Sequence, residues 1–110
     1  MLINFDAIEP AIVKNFRGGE KEICSRGYQD EHCKIMRIVL IPGASVGRHT
    51  HVDNCEMMYI LSGSGTIIYD GVEEKVGPGS FHYCPKGHEH EFMNDGSEDI
   101  VFLAIVPELR

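Results

Sequence analysis

Gly43-Ala-Ser-Val-Gly-Arg-His-Thr-His-Val-Asp-Asn-Cys-Glu-Met-Met-Tyr-Ile-Leu-Ser-Gly63 is the stretch that decides how this 110-residue chain is read. His49 and His51 are two positions apart, so on a strand both rings leave the same face. Glu56 opens the apolar run Met57 to Leu61, which reads as the next strand. A second stretch, Gly79-Ser-Phe-His-Tyr-Cys-Pro-Lys-Gly-His-Glu-His-Glu-Phe-Met-Asn94, contributes His90. Three imidazoles and one carboxylate make a nitrogen/oxygen donor set that suits a borderline first-row metal ion.

The first stretch resembles the first cupin motif, G-x5-H-x-H-x4-E-x6-G, filled by Gly43, His49, His51, Glu56 and Gly63. The second resembles the second cupin motif, G-x5-P-x-G-x2-H-x3-N, filled by Gly79, Pro85, Gly87, His90 and Asn94. No position departs, and two blocks that agree at once are far more specific than one short motif. The resemblance implies an all-β fold, a double-stranded β-helix or jelly-roll barrel. It implies one divalent transition metal ion per subunit (Mn, Fe, Ni, Co or Zn), held by His49, His51, Glu56 and His90. It does not choose a reaction, because one fold hosts many chemistries.

The rest of the chain agrees with a barrel. Short strands are expected over Lys34–Ile41, Gly47–Val52, Met57–Leu61, Thr66–Tyr69, Val72–Val76, Phe81–Cys84, Glu89–Met93 and Asp99–Val106, with turn residues between them. Asp70-Gly71 is a hairpin signal. Gly43, Gly63, Gly79 and Gly87 stand where tight turns need positive φ, and Asn94 opens a turn. Upstream, Ile23–Gln29 reads as an early strand, Ile8–Phe16 as loop plus a short strand, and Arg17–Lys21 as a turn. Met1–Phe5 is a short apolar run that reads as a terminal strand, paired to its own barrel or exchanged with a second subunit. Less than a tenth of the residues should be helical, and residues 1–110 are expected to form a single domain of modest core.

Composition narrows the partners. The net charge of −7 argues against nucleic acid and anionic membrane. No apolar run approaches the roughly 20 residues of a membrane helix. The four cysteines contain no C-x-x-C pair, and Met-Leu-Ile-Asn-Phe-Asp does not read as a signal peptide. The expectation is a cytoplasmic protein with reduced thiols. Small members of the resembled family are often dimers, so a homodimer is expected.

Alternation extends the site. If Glu56 points inward, Met58 and Ile60 do too, and Phe92 follows His90, giving an apolar wall around the metal. His82 shares parity with Cys84, opposite Phe81 and Tyr83. An inward His82 relays a proton or holds a substrate carboxylate; an outward one is a surface or interface histidine. Tyr83 and Tyr69 carry the same ambiguity. Arg37 interrupts an apolar strand and is either an inward anion clamp or an edge charge. His82, Arg37 and Tyr83 are therefore the catalytic candidates. Arg48 should face outward, and His88 should lie near the pocket mouth or in solvent. The resulting expectation is a metal-dependent enzyme on a small oxygen-rich metabolite, with dioxygenase, decarboxylase, isomerase or lyase chemistry all open. The alternative is a non-catalytic module that uses the metal to capture a carbohydrate or an organic acid.

Overall fold

The computed structural model describes residues Met1–Arg110. Ten strands follow one another: β1 (Ala11–Lys14), β2 (Glu22–Gln29), β3 (Cys33–Leu40), β4 (Ser45–Thr50), β5 (Glu56–Ser62), β6 (Gly65–Tyr69), β7 (Val72–Val76), β8 (Phe81–Cys84), β9 (Glu89–Met93) and β10 (Ile100–Pro107). The helical content is two short 3-10 turns, Phe5–Ala7 and Phe16–Gly18. A six-stranded sheet in the order β1-β2-β3-β10-β5-β8 faces a four-stranded sheet in the order β4-β9-β6-β7. Neighbours in both sheets run antiparallel, which makes the jelly-roll barrel that the motif resemblance implies.

Alternation decides what fills the barrel. On β5, Met58 and Ile60 are buried, and on β10 Ile100, Phe102 and Ala104. Ile38 and Leu40 come from β3, and Val46, Ile67 and Phe92 from the facing sheet. Phe92 and Phe102 meet across the two sheets with ring centroids 5.0 Å apart. Each of these side chains larger than Ala104 contributes about 1.5–3 kcal/mol on burial. Met58, Ile60 and Phe92 all face inward, as alternation predicts, though Met58 and Phe92 line the cavity and Ile60 does not.

One departure from strict alternation matters for the site. Val46 pairs with Phe92 and His49 with His90, so three steps on β4 oppose two on β9. This β-bulge lets Val46 and His49 share the inward face although they are three positions apart. Gly47 lies within it. A Cβ there would sit 2.0 Å from the carbonyl oxygen of Arg17, so glycine is required by close backbone approach.

Turn chemistry follows the residue types. Asp70 and Gly71 take φ 48° and 81° between β6 and β7, the two positive φ values of a type I′ hairpin. Gly43, Gly63, Gly79 and Gly87 all have positive φ. Asn94 does more than open a turn. Its buried amide donates to the carbonyls of Leu40 (2.7 Å) and Glu98 (2.8 Å), and its side-chain oxygen accepts from the Gly96 N–H.

Two expectations are corrected here. Met1–Phe5 is not a strand: Met1 and Leu2 are exposed, and Phe5–Ala7 is a 3-10 turn capped by the Asn4 side chain, which accepts the Asp6 N–H. A short polar-capped turn satisfies local donors that an isolated strand would leave bare. Arg37 is not an inward clamp. Ile38 and Leu40 take the core side of β3, so Arg37 is on the outer face. There its Nη2 donates to Asp6 Oδ1 at 2.6 Å, and its guanidinium lies over the Phe5 ring at 5.6 Å. Its role is to tie the N-terminal turn to the barrel.

Candidate metal centre

His49 lies near the end of β4, His51 just beyond it, Glu56 at the start of β5 and His90 in β9. Barrel closure brings their ligand atoms within 4.8 Å of one another. His90 Nε2 is 3.1 Å from His51 Nε2 and 3.2 Å from His49 Nε2. Glu56 Oε1 is 3.0 Å from His90 Nε2, 3.2 Å from His51 Nε2 and 3.9 Å from His49 Nε2.

The opposite ring nitrogens explain these orientations. His49 Nδ1 donates to the Gly47 carbonyl at 2.8 Å, and His51 Nδ1 to Asn54 Oδ1 at 2.6 Å. His90 Nδ1 lies 3.0 Å from His82 Nε2, and His82 Nδ1 lies 2.9 Å from Glu74 Oε1. Glu74 accepts from His82, so a neutral His82 presents its bare Nε2 to the His90 Nδ1–H. All three Nδ1 atoms then carry the proton, and three Nε2 lone pairs converge on one carboxylate. Such an arrangement calls for positive charge at its centre.

Protons or a metal ion can supply that charge. Burial pushes the Glu56 carboxyl up, yet hydrogen bonds with His49, His51 and His90 outweigh it and hold the group well below the carboxylate range. Burial likewise opposes charging of His51, but Glu56 and Asn54 raise it above the ordinary imidazole value. His82 is lowered, first by burial and then by neighbouring His90. The donor set also fits an ion in size. Two donors at right angles on a metal with bonds of about 2.1 Å stand about 3.0 Å apart, close to four of the measured separations.

The cluster opens into a cavity of about 260 Å³ that reaches Phe16, Arg17, Lys34, Met36, Phe92 and Phe102. This is slightly below the usual range of about 300–1,000 Å³ for small-molecule pockets, which favours a small guest.

The three catalytic candidates part company. His82 is inward and 4% exposed, but it is behind His90 and does not line the cavity. It therefore touches a candidate ligand rather than a guest. Tyr83 is on the outer face and 54% exposed, so it is not part of the cavity. The reason is register: Met58 stands opposite His82 and Met57 opposite Tyr83, and directly opposed residues share a face. Arg37 is outside, as described above. Tyr69 packs edge-on against His82, with centroids 5.6 Å apart. His88 is exposed, stacked on Tyr69 and hydrogen-bonded to Asp70.

Arg17, Lys34, Asn54 and Glu74 were not among the residues singled out from the sequence. Asn54 had a usable signal, since it stands between two candidate ligands. Arg17 had a weaker one in the Gly18-Gly19 pair beside it. Glu74 comes from a different hairpin and carried none.

Residues 36–106 match the family model described as "Cupin domain". A protein of Thermotoga maritima described as "Oxalate-binding protein" is 30% identical over 112 residues, covering 96% of this chain and 93% of that protein. A crystal structure from Thermotoga maritima, described as a predicted oxalate decarboxylase, superposes with a TM-score of 0.93. It is 30% identical, with 99% of this chain and 100% of that chain covered. The polyketide cyclase RemF from Streptomyces resistomycificus superposes with a TM-score of 0.81 at 24% identity, covering 97% of this chain and 78% of that one. That likeness shows the fold alone.

Proposed function

This chain belongs to the cupin domain family, and from that premise we propose that it is a metal-dependent enzyme acting on a small oxygen-rich acid, oxalate being the first candidate. The observation that carries this reading is the convergence of three imidazole nitrogens and one carboxylate at the wall of a small cavity. His49, His51, Glu56 and His90 would hold one divalent transition metal ion, with manganese, iron, nickel, cobalt and zinc all compatible with such donors. When bound, that ion supplies Lewis acidity and, for iron or manganese, redox chemistry.

The protein's own groups have separate tasks. The Gly47 carbonyl, Asn54 and His82 hold the three rings by their Nδ1 atoms, so that each Nε2 faces the centre. Glu56 contributes negative charge that offsets a divalent cation. Met58, Phe92 and Phe102 shield the guest from bulk water and so strengthen every polar contact made to it. The oxalate-related descriptions of the Thermotoga maritima relative and of the Thermotoga maritima crystal structure support an acid of the oxalate type.

The description "Oxalate-binding protein" favours a second reading, a module that holds the acid without converting it. One experiment separates the two. Protein reconstituted with manganese, and in parallel with iron, is incubated with labelled oxalate in air and without oxygen. Release of formate or carbon dioxide at many turnovers supports the enzyme. Stoichiometric, unchanged oxalate supports the binding module. No retention by any metal form removes oxalate from consideration.

We further propose that residues 1–110 act as one domain, that the protein is cytoplasmic and that it forms a homodimer. The four cysteines are free thiols, in keeping with a reducing compartment. The outer face of β5 and β8 presents Tyr59, Leu61, Phe81 and Tyr83 to solvent. An apolar face of this kind is one that a second copy would cover.

A further inference from the structure

The turn that precedes β2 contributes a solvent-exposed cationic residue to the cavity lining. Arg17 lines the cavity together with His49 and His51. Arg26, Arg37 and Arg110 are each tied to an oxygen, those of Ile8, Asp6 and Glu108 respectively. Arg17 instead lies over the Phe16 ring, 5.6 Å from its centroid. That contact leaves all its N–H donors for another partner.

The backbone beneath Arg17 is built with care. Arg17 has φ 56° and ψ 30°, in the left-handed region that long side chains avoid, while Asn15 at φ 52° and ψ 45° is of a type that visits it readily. Such conformations persist only where surrounding structure enforces them, and they cluster at ligand sites. Here the enforcement is visible. A Cβ on Gly19 would lie 2.0 Å from the Ser45 carbonyl oxygen, and one on Gly47 would lie 2.0 Å from the Arg17 carbonyl oxygen. Two glycines thus let the turn lie flush on β4. Ser45 N–H donates to the Glu20 carbonyl at 3.0 Å, and Glu20 N–H donates to Ser45 Oγ at 2.8 Å. Asn15 Nδ2 donates to the Gly19 carbonyl at 3.0 Å.

Gly47 is therefore a shared mount. Its missing Cβ admits the Arg17 backbone, and its carbonyl accepts the His49 Nδ1–H at 2.8 Å. The cation and a candidate metal ligand are referenced to the same residue.

We propose that Arg17 is the carboxylate-recognising residue of this site, selecting small dicarboxylates over monocarboxylates. The inference rests on the reading of the centre as a metal-held acid site. A guanidinium offers a planar fork of donors that matches one carboxylate in a two-point contact. The other carboxylate of a short diacid faces the imidazole cluster. A monocarboxylate can satisfy one end only. Lys34 also lines the cavity, but an ammonium is a point charge without that fork.

The test is calorimetric titration of Mn2+, and then of oxalate and formate into the manganese form, for the wild type, Arg17→Gln, Arg17→Lys and Lys34→Gln. Wild type is expected to prefer oxalate. Arg17→Gln should bind Mn2+ within about twofold of wild type and lose about 10- to 100-fold in oxalate affinity, the range of one charge-assisted contact. Its formate affinity should change little, and Arg17→Lys should recover only part of the loss. Unchanged oxalate affinity in Arg17→Gln, or a loss confined to Lys34→Gln, overturns the assignment while leaving the metal-held acid site intact. Equal loss of Mn2+ and oxalate affinity in Arg17→Gln also overturns it, since Arg17 would then be structural. Wild type that binds Mn2+ but no oxalate overturns the acid reading itself, and the role of Arg17 with it.

Discussion

His82 Nε2 lies 3.0 Å from His90 Nδ1, with the two rings stacked at an interplanar angle of 21°. The contact continues to Glu74, whose Oε1 is 2.9 Å from His82 Nδ1. His82 thus holds a candidate ligand ring from behind and fixes which of its nitrogens carries the proton. Removing such a partner typically costs about 10- to 100-fold in metal affinity. His82→Phe should show that loss, and His82→Gln, whose amide oxygen can still accept, a smaller one. Competition with a metallochromic chelator measures both. Equal affinity in wild type and His82→Phe would remove His82 from the site.

His51→Ala takes away one of four proposed ligands. Metal retention after dialysis against a chelator should fall steeply, while far-UV circular dichroism stays that of the wild type. The apolar core of Leu40, Ile60, Ile67 and Phe102 contains no ligand, which is why the barrel should persist. Full metal occupancy in the variant would refute the four-ligand site. Outright unfolding would make the metal structural and favour the binding module over the enzyme.

Gly47→Ala tests the mount beneath Arg17. The new methyl meets the Arg17 carbonyl at 2.0 Å and Gly19 N at 2.8 Å, both backbone atoms that cannot rotate away. Overpacking of this kind costs about 1–3 kcal/mol. Chemical denaturation should show a lower midpoint, and a wild-type midpoint would mean that the turn lifts off β4 freely.

The thiols should differ by position and by pH. Cys55 and Cys84 are buried, whereas Cys24 and Cys33 are partly exposed. Burial first, and then the Glu56 charge, pushes the Cys84 thiol from 9.0 up to about 12. At pH 8, alkylation of the native protein should label Cys24 and Cys33 well before Cys55 and Cys84, read by peptide mass spectrometry. A raised value also has a sign for stability. Between pH 9 and about 12 the folded chain keeps a proton that the unfolded chain has released. This contribution is present below pH 9 and is lost as pH rises through that window. Thermal midpoints should therefore fall with pH in the alkaline range, less so for Cys84→Ala relative to its own value at pH 8.

The dimer proposal concerns Phe81 and Tyr83, which are 64% and 54% exposed. Light scattering at micromolar concentration should give about twice the 12.3 kDa chain mass. Phe81→Glu with Tyr83→Lys should give the single mass. A monomeric wild type would count against the homodimer, and an unchanged dimer in the double variant would place the interface elsewhere.

Much of this protein follows from local chemistry. Period-two alternation and turn residues such as Asp70-Gly71 and Pro85-Lys86-Gly87 specify short strands, because backbone geometry leaves few alternatives there. The cluster of His49, His51, Glu56 and His90 was legible too, since motif spacing keeps each residue on or beside a strand that closure brings together. Other features depended on contacts distant in sequence. Alternation states that His82 and Tyr83 face opposite ways, but the pairing of His82 with inward Met58 decides which is inside. Arg37 is outside by the same logic, because Ile38 and Leu40 take the core. The common inward face of Val46 and His49 needed a bulge that no periodicity announces. Arg17 is held at the cavity by a close backbone approach between its own carbonyl and Gly47, thirty positions on in sequence. Relative orientation is a property of the backbone and is local; absolute orientation is chosen by the neighbour each strand pairs with, and only the closed barrel supplies that neighbour.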